Sequence, residues 1–177
     1  EVDIRADGTL DYPDDLLDEL DIVVASVHSA MGQHSDVMTQ RLISAMNHQA
    51  VTIVGHLTTR IIGQRPPVQC DMERILEEAK RTGTALEINS SPERLDLKDI
   101  HARLARQMGV PLVVNTDSHD RLGFLQRKYG IAVARRAGCL TNHVVNTMSL
   151  DRFTSYISCP KPDRDAIFVS YAMSRNN

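Results

Sequence analysis

The chain has 177 residues, a formal net charge of −3 and 42% hydrophobic residues, enough for one domain with a sizeable core. That balance predicts ordinary solubility and no nonspecific grip on nucleic acid from net charge, and no apolar run approaches the ~20 residues that span a bilayer. The amino terminus lacks the basic and apolar regions of a signal peptide, and Cys70, Cys139 and Cys159 show no paired spacing, so they read as free thiols of a cytoplasmic protein.

In chain order, residues 2–4 read as a short strand, the Gly8 turn leads to Pro13, and Pro13 suits the first position of a short helix through Leu20. A strand over 22–27 follows. Ser35 can cap a helix in which Met38, Leu42 and Met46 recur at four-residue spacing, ending near Asn47 before a strand over 51–54. Residues 58–68, with Pro66-Pro67, form a loop. Asp71 can cap a helix carrying Ile75, Leu76 and Ala79, which Gly83 stops before a strand over 85–88.

Asp96 and Asp99 resemble a capping box for a helix with the apolar stripe Ile100, Leu104 and Met108, ended by Gly109 and Pro111 before a strand over 112–115. From Arg121 onward the pattern is helical, with Leu122, Leu125 and Tyr129 on one face. The segment from Pro160 lacks a clear period and reads as a tail or a loosely docked segment. Strand then helix, at roughly 30-residue intervals, predicts an α/β fold of right-handed βα units in a parallel sheet or barrel. About five such units can be counted, fewer than a closed barrel of seven or eight strands needs.

His28, His56 and the pair Asp117/His119 each sit at the carboxyl end of a predicted strand, and Glu1 opens the chain. In an α/β barrel all strands end at one face, so these side chains are expected to converge there. Carboxylate with imidazole suits Mn²⁺, Zn²⁺ or Fe²⁺. Two such ions ~3.5 to 4 Å apart can generate a hydroxide and stabilise both oxygens of an in-line displacement at phosphorus.

A lone His after a buried strand is ordinarily a core or loop histidine, but three strands ending in His make coincidence a poor account. His34, His48, His101 and His143 fall in loops or on helices and read as structural. Glu87, at another strand end, could orient a ligand or make a structural hydrogen bond. Charge is uneven as well: residues 1–21 hold nine acids and one Arg, and residues 94–136 hold nine Lys/Arg and four acids. The second stretch suits a phosphate-bearing substrate, although solvated helix faces give the same pattern.

Glu1-Val-Asp-Ile with Asp7-Gly-Thr-Leu-Asp-Tyr-Pro13, Ser26-Val-His28-Ser, Gly55-His56-x-Thr-x-Arg60, Glu87-Ile-Asn89 with Arg94-Leu-Asp-Leu97, and Asn115-Thr-Asp-Ser-His119 resemble the PHP (polymerase and histidinol phosphatase) domain. The version at the carboxyl end of bacterial family X DNA polymerases is the best match. The resemblance covers residues 1–157, leaves 158–177 as a tail, and implies a distorted TIM-like (β/α)7 barrel, here incomplete. It also implies a metal-dependent phosphoesterase acting on DNA ends, a 3′-5′ exonuclease or 3′-end-processing activity, with up to three divalent ions.

On that resemblance Glu1 bridges two metals, His28 and His56 complete one of them, Asp117 serves the second with Glu1, and His119 serves the third. Arg60 is a candidate to hold a phosphate oxygen. The family's opening His-x-His and two further ligands are absent from this sequence, so only the Glu1/His28/His56 site keeps all its protein ligands. Leu57 also replaces the Pro that usually follows Gly-His. DNA, reached through a parent polymerase, is the implied partner. Two other readings remain: an amidohydrolase-type barrel acting on C–N bonds, and a non-catalytic binding or docking fragment whose open sheet edges favour self-association.

Overall fold

The structure is a computed structural model that describes residues 1–174. Five strands, β1 (Val2–Asp3), β2 (Val23–Ser26), β3 (Val51–Val54), β4 (Ala85–Asn89) and β5 (Leu112–Asn115), lie parallel and in chain order in one sheet. Helices α1 (Asp14–Leu17), α2 (Ser35–Asn47), α3 (Met72–Thr82), α4 (Asp99–Met108) and α5 (Arg127–Arg136) alternate with them, and α6 (Leu150–Ser158) and α7 (Lys161–Ser174) close the described chain. This is an α/β fold consistent with a partial TIM-like barrel, as the sequence predicts. No helix among the described residues is long and apolar enough to cross a membrane, and all three cysteines are free.

The sheet has two unlike faces because strand side chains alternate. Val2, Ala25, Val54, Leu86, Ile88 and Leu112 point to one face, where they pack with Met38, Leu42, Ile75, Leu76 and Ala105 from the surrounding helices. Each Leu or Ile fully buried there is worth about 1.5–3 kcal/mol. On the other face Ile53, Ala85 and Val113 meet Tyr156, Phe168 and Tyr171 of α6 and α7. A cavity of about 550 Å³, lined by Val24, Ile53, Val113, Met148 and Phe153 among others, remains on this side.

Both sheet edges are covered. Beside β1, the return of the chain gives Asp3 N a bond to Asp11 Oδ1 (2.9 Å) and Asp3 O a bond from Asp11 N (3.1 Å). Beside β5, the Asn146 side chain accepts from Val114 N (2.7 Å) and donates to Val114 O (3.2 Å). The expectation of self-association rested on unpaired edges, and these contacts remove that template.

Several local expectations change. α1 ends at Leu17 rather than Leu20, and the cap of α2 is His34, whose Nδ1 accepts from Asp36 N at 3.4 Å, rather than Ser35. Asp71 caps α3 as predicted, and Gly83 and Gly109 follow α3 and α4 in left-handed conformations. The capping box at Asp96 does not form, because Asp96 is buried and its Oδ2 accepts from Thr58 N at 2.8 Å. In α4 the buried residues are Ala102 and Ala105, while Ile100 and Leu104 face solvent: the small side chains let the helix lie close to the sheet.

The segment from Pro160 is the larger correction. It forms α7, which packs against α3 and α6, with Phe168 and Tyr171 each 2% exposed. Its charges hid this. Lys161 Nζ donates to Met46 O and to Thr84 Oγ1 (2.9 Å), and Arg164 donates to Cys159 O (2.9 Å), Val51 O (3.2 Å) and Ile157 O (3.1 Å). Cations that look like a solvated tail are the groups that dock the helix. Residues 175–177 of the expected tail lie outside the described residues.

Candidate metal centre

The carboxyl ends of the five parallel strands form one rim. Glu1 immediately precedes β1 and shares a face with Asp3, because residues one and three of a strand point the same way. His28 lies just beyond β2, and Gly55-His56 beyond β3. The close approach of β2 and β3 requires glycine at 55, since a Cβ there would stand 2.5 Å from Ser26 Oγ. His56 then turns into a left-handed conformation with φ 21°, which directs its ring back over the rim.

Glu1 Oε1 lies 3.4 Å from His28 Nε2 and 3.1 Å from His56 Nε2, and one donor atom from each residue falls within 4.8 Å of the others. Metal–ligand bonds of ~2.1 Å at tetrahedral angles put donors about 3.4 Å apart, so this set fits a small divalent ion. The donor chemistry agrees, since one carboxylate and two imidazoles suit Zn²⁺, Mn²⁺ or Fe²⁺. The two rings meet edge to face, with centroids 5.0 Å apart.

Electrostatics bind the set in advance. The His56 hydrogen bond holds the Glu1 carboxyl at about 2, against the opposing effect of burial, with Ser26 and the two imidazoles adding to it. Burial disfavours the His56 cation, yet the hydrogen bond to Glu1 and the neighbouring Glu87 charge outweigh it, so its pKa is raised. His56 is 2% exposed and its Nδ1 has no hydrogen-bond partner among the described residues.

A second set of residues fixes the first. Asp3 Oδ1 accepts from His28 N (3.0 Å) and lies 3.4 Å from His28 Nδ1, a carboxylate behind the imidazole that faces Glu1. Glu87 Oε2 accepts from His56 N (2.6 Å) and from Asn89 Nδ2 (3.1 Å), and burial raises its pKa. Glu87 therefore fixes the backbone of His56 through a buried hydrogen bond. Asp3 was missed, although the period-two pattern after Glu1 carries the signal.

Asp117 and His119 part company. Asp117 lines a cavity of about 150 Å³ with Glu1, Val24, His56, Glu87 and Asn115. It has a φ of 52°, accepts from Asn89 Nδ2 (3.2 Å) and is ion-paired with Arg94 Nε (3.3 Å). His119 is exposed, and its Nδ1 turns to Asp117 O at 2.9 Å, so it does not join the Glu1 set.

Arg60 spends part of its guanidinium on the backbone. Its Nε donates to Arg94 O (2.7 Å) and its Nη2 to Leu95 O, which makes it the anchor of the 94–95 turn. Arg94, which had no role by sequence, is the arginine at the rim, and its buried Nη1 lacks a partner among the described residues. The other histidines are structural as expected: His34 caps α2, His48 Nε2 lies 3.1 Å from Asp14 Oδ1, His143 Nδ1 accepts from Leu140 N, and burial lowers His101 to about 4.

No protein-family model matches the chain. Over 157 residues, 89% of its length, it is 42% identical to the DNA polymerase/3′-5′ exonuclease PolX of Bacillus subtilis, of which that stretch is 28%. Over 150 residues, 80% of its length, it is 31% identical to a probable phosphatase of Thermoanaerobacter sp. (strain X514), covering 59% of that protein. A probable phosphatase of Caldanaerobacter subterraneus is 34% identical over 122 residues, 64% of this chain and 46% of the relative. The chain thus spans about a quarter of the polymerase and roughly half of the phosphatases it resembles.

Proposed function

We propose that this chain supplies a divalent-metal site of the PHP type to a phosphoesterase acting on DNA ends, within a protein related to bacterial family X polymerases. The observation that carries the reading is the convergence of Glu1, His28 and His56 from the ends of three strands, with Asp117 on the same cavity. Relatives named as a 3′-5′ exonuclease and as phosphatases share phosphate-ester hydrolysis, which supports this chemistry over C–N cleavage. On this reading residues 1–157 are the carboxyl-terminal portion of the PHP domain, and DNA is met in the cytoplasm through the polymerase.

A divalent ion bound here would act as a Lewis acid toward a phosphate oxygen and lower the pKa of a water molecule. The chain's own residues do the positioning. Asp3 holds His28, Glu87 holds His56, and Glu1 stays ionised over the working pH range. Asp117 with Glu1, and His119 separately, would offer donors to further ions, but too few in this chain to hold them tightly. Arg94, paired through Nε with Asp117, lies beside the candidate donors and would meet a non-bridging phosphate oxygen if Asp117 turned to an ion, a task for which the planar guanidinium is suited.

Calorimetric titration with Mn²⁺ and Zn²⁺, followed by assays on a 3′-recessed duplex, a phosphomonoester and an amide, tests the proposal. The expected result is one tightly bound ion per chain, weakened about 100-fold or more by Glu1→Ala, with slow metal-dependent cleavage confined to phosphate esters. Two or more tight ions, or amide hydrolysis without phosphoester hydrolysis, would sink it.

A further inference from the structure

Beyond the Asp117 rim the chain carries a surface that the metal site does not use. Leu122, Phe124 and Leu125 are 65%, 61% and 61% exposed, a cost in apolar exposure that a free surface rarely carries in one cluster. They belong to an ordered turn. Asp120 Oδ1 accepts from Leu122 N and Gly123 N, both at 2.8 Å, and Gly123 packs so tightly on Ser118 that a Cβ would lie 2.4 Å from its Oγ. Ser118 stands between Asp117 and His119, so the cluster is fixed to the segment that bears the candidate ligands.

After Asp120, whose carboxylate closes the turn, the charge has one sign. Between Arg121 and Leu150 the sequence holds Arg121, Arg127, Lys128, Arg135 and Arg136 and no Asp or Glu. Arg121, Arg127 and Lys128 are exposed, and none of the three is ion-paired among the described residues. An exposed aromatic ring among unneutralised cations is the pairing that a single nucleic-acid strand needs, with a base on the ring and phosphates on the cations. An apolar protein partner would use the leucines but leave the cations without counter-charge.

We infer that Phe124, with Arg121, Arg127 and Lys128, is the platform that receives the single-stranded end of the nucleic acid substrate. The inference rests on the phosphoesterase reading of the neighbouring site and adds how the strand is held. Phe124 stacks on a base near the end, and the cations track the backbone leading to Asp117.

Fluorescence anisotropy of a labelled single-stranded DNA oligonucleotide, with the 177-residue chain in chelator so that nothing is cleaved, tests the platform apart from hydrolysis. Phe124→Ala is expected to weaken binding about tenfold, in the range of one base–aromatic stack, and Phe124→Trp to retain it. The double variant Arg127→Ala/Lys128→Ala should reduce the slope of log K against log[salt] by about 1.4, because two phosphate contacts are lost.

No binding by the unaltered chain overturns the inference, as does binding unchanged in Phe124→Ala, or full retention in Phe124→Leu, which keeps the apolar area but not the ring. Sedimentation showing a dimer that Phe124→Ala dissociates, with no oligonucleotide bound, also overturns it in favour of a second copy. The two readings fail separately. Metal-dependent cleavage that is insensitive to Phe124→Ala removes the platform and leaves the phosphoesterase, whereas the expected binding pattern without cleavage in metal removes the hydrolysis and leaves the strand-binding surface.

Discussion

The two ends of the same sheet differ in how they are completed, although each keeps buried polar atoms without a partner among the described residues, Arg106 Nε and Asp165 Oδ1 at the amino end among them. At the amino end of the strands, Tyr156 donates to Gly83 O (2.5 Å), Lys161 to Met46 O and Thr84, and Arg164 to three carbonyls, so each donor is met by the protein's own backbone or hydroxyls. At the carboxyl end, His56 Nδ1 and Arg94 Nη1 are buried without partners among the described residues, and His56, Leu95 and Asp117 hold left-handed backbone angles. Such conformations cost of order 1–3 kcal/mol each and persist where function requires them. One end is finished by the docking of α6 and α7; the other carries the left-handed non-glycine residues and the candidate metal donors. This is the division of labour between the two faces of an α/β barrel.

The sharpest way to break the comparison is at the finished end. Tyr156→Ala removes a fully buried ring from between β4 and α7 and is expected to destabilise the chain by about 3–5 kcal/mol. Urea denaturation followed by circular dichroism checks it. Metal affinity at the far rim should stay within about twofold, since independent sites are nearly additive. A loss of less than about 1 kcal/mol would mean that α6 and α7 are accessory to the fold rather than its second layer.

The same division explains what was legible in the sequence. The strands and the candidate donors at their carboxyl ends were visible because continuous β-branched runs and histidines at their ends are local signals, and β3, with its four residues followed by Gly55-His56, matched its predicted limits. The finished end was not visible, because Lys161 and Arg164 are stabilised by carbonyls of residues 46, 51, 157 and 159, and a cation's distant acceptor leaves no mark on its neighbours in sequence. Asp96 failed as a cap for a similar reason: Thr58, far away in sequence, offered it an N–H in a buried position. The bonds from Arg60 to Arg94 O and Leu95 O were hidden in the same way, since a motif marks both arginines without showing which backbone they meet.

A smaller effect tests how complete the amino end is. Burial, with Arg164 nearby, pushes the Lys161 ammonium down to about 7; Glu78 opposes this and Arg81 adds to it. The folded pKa lies below the unfolded value of 10.5, so the folded chain binds fewer protons between about pH 7 and 10.5, and stability rises with pH across that window. Below pH 7 the protonated, buried lysine imposes its full penalty. Lys161→Met should flatten this dependence, so that the difference in unfolding free energy between variant and parent shifts by about 1 kcal/mol per pH unit from pH 7 to 9. Parallel curves over that range would show that the Met46 and Thr84 acceptors fully compensate the buried charge.

The mildest prediction concerns the open end and separates orientation from ligation. Asp3→Asn preserves an oxygen for His28 N, so the junction of β1 and β2 should remain and the melting temperature in chelator should change little. What is lost is the carboxylate 3.4 Å behind His28 Nδ1, which fixes the direction of the ring toward Glu1. Substitutions of this kind cost about 10–100-fold in metal affinity, and the partial exposure of His28 argues for the lower end, about tenfold for Zn²⁺ by calorimetric titration. An affinity equal to the parent's would make Asp3 a purely structural contact of the strand end. A loss as large as that from Glu1→Ala would make Asp3 itself a ligand, and the rim would then hold two carboxylates and two imidazoles in one set.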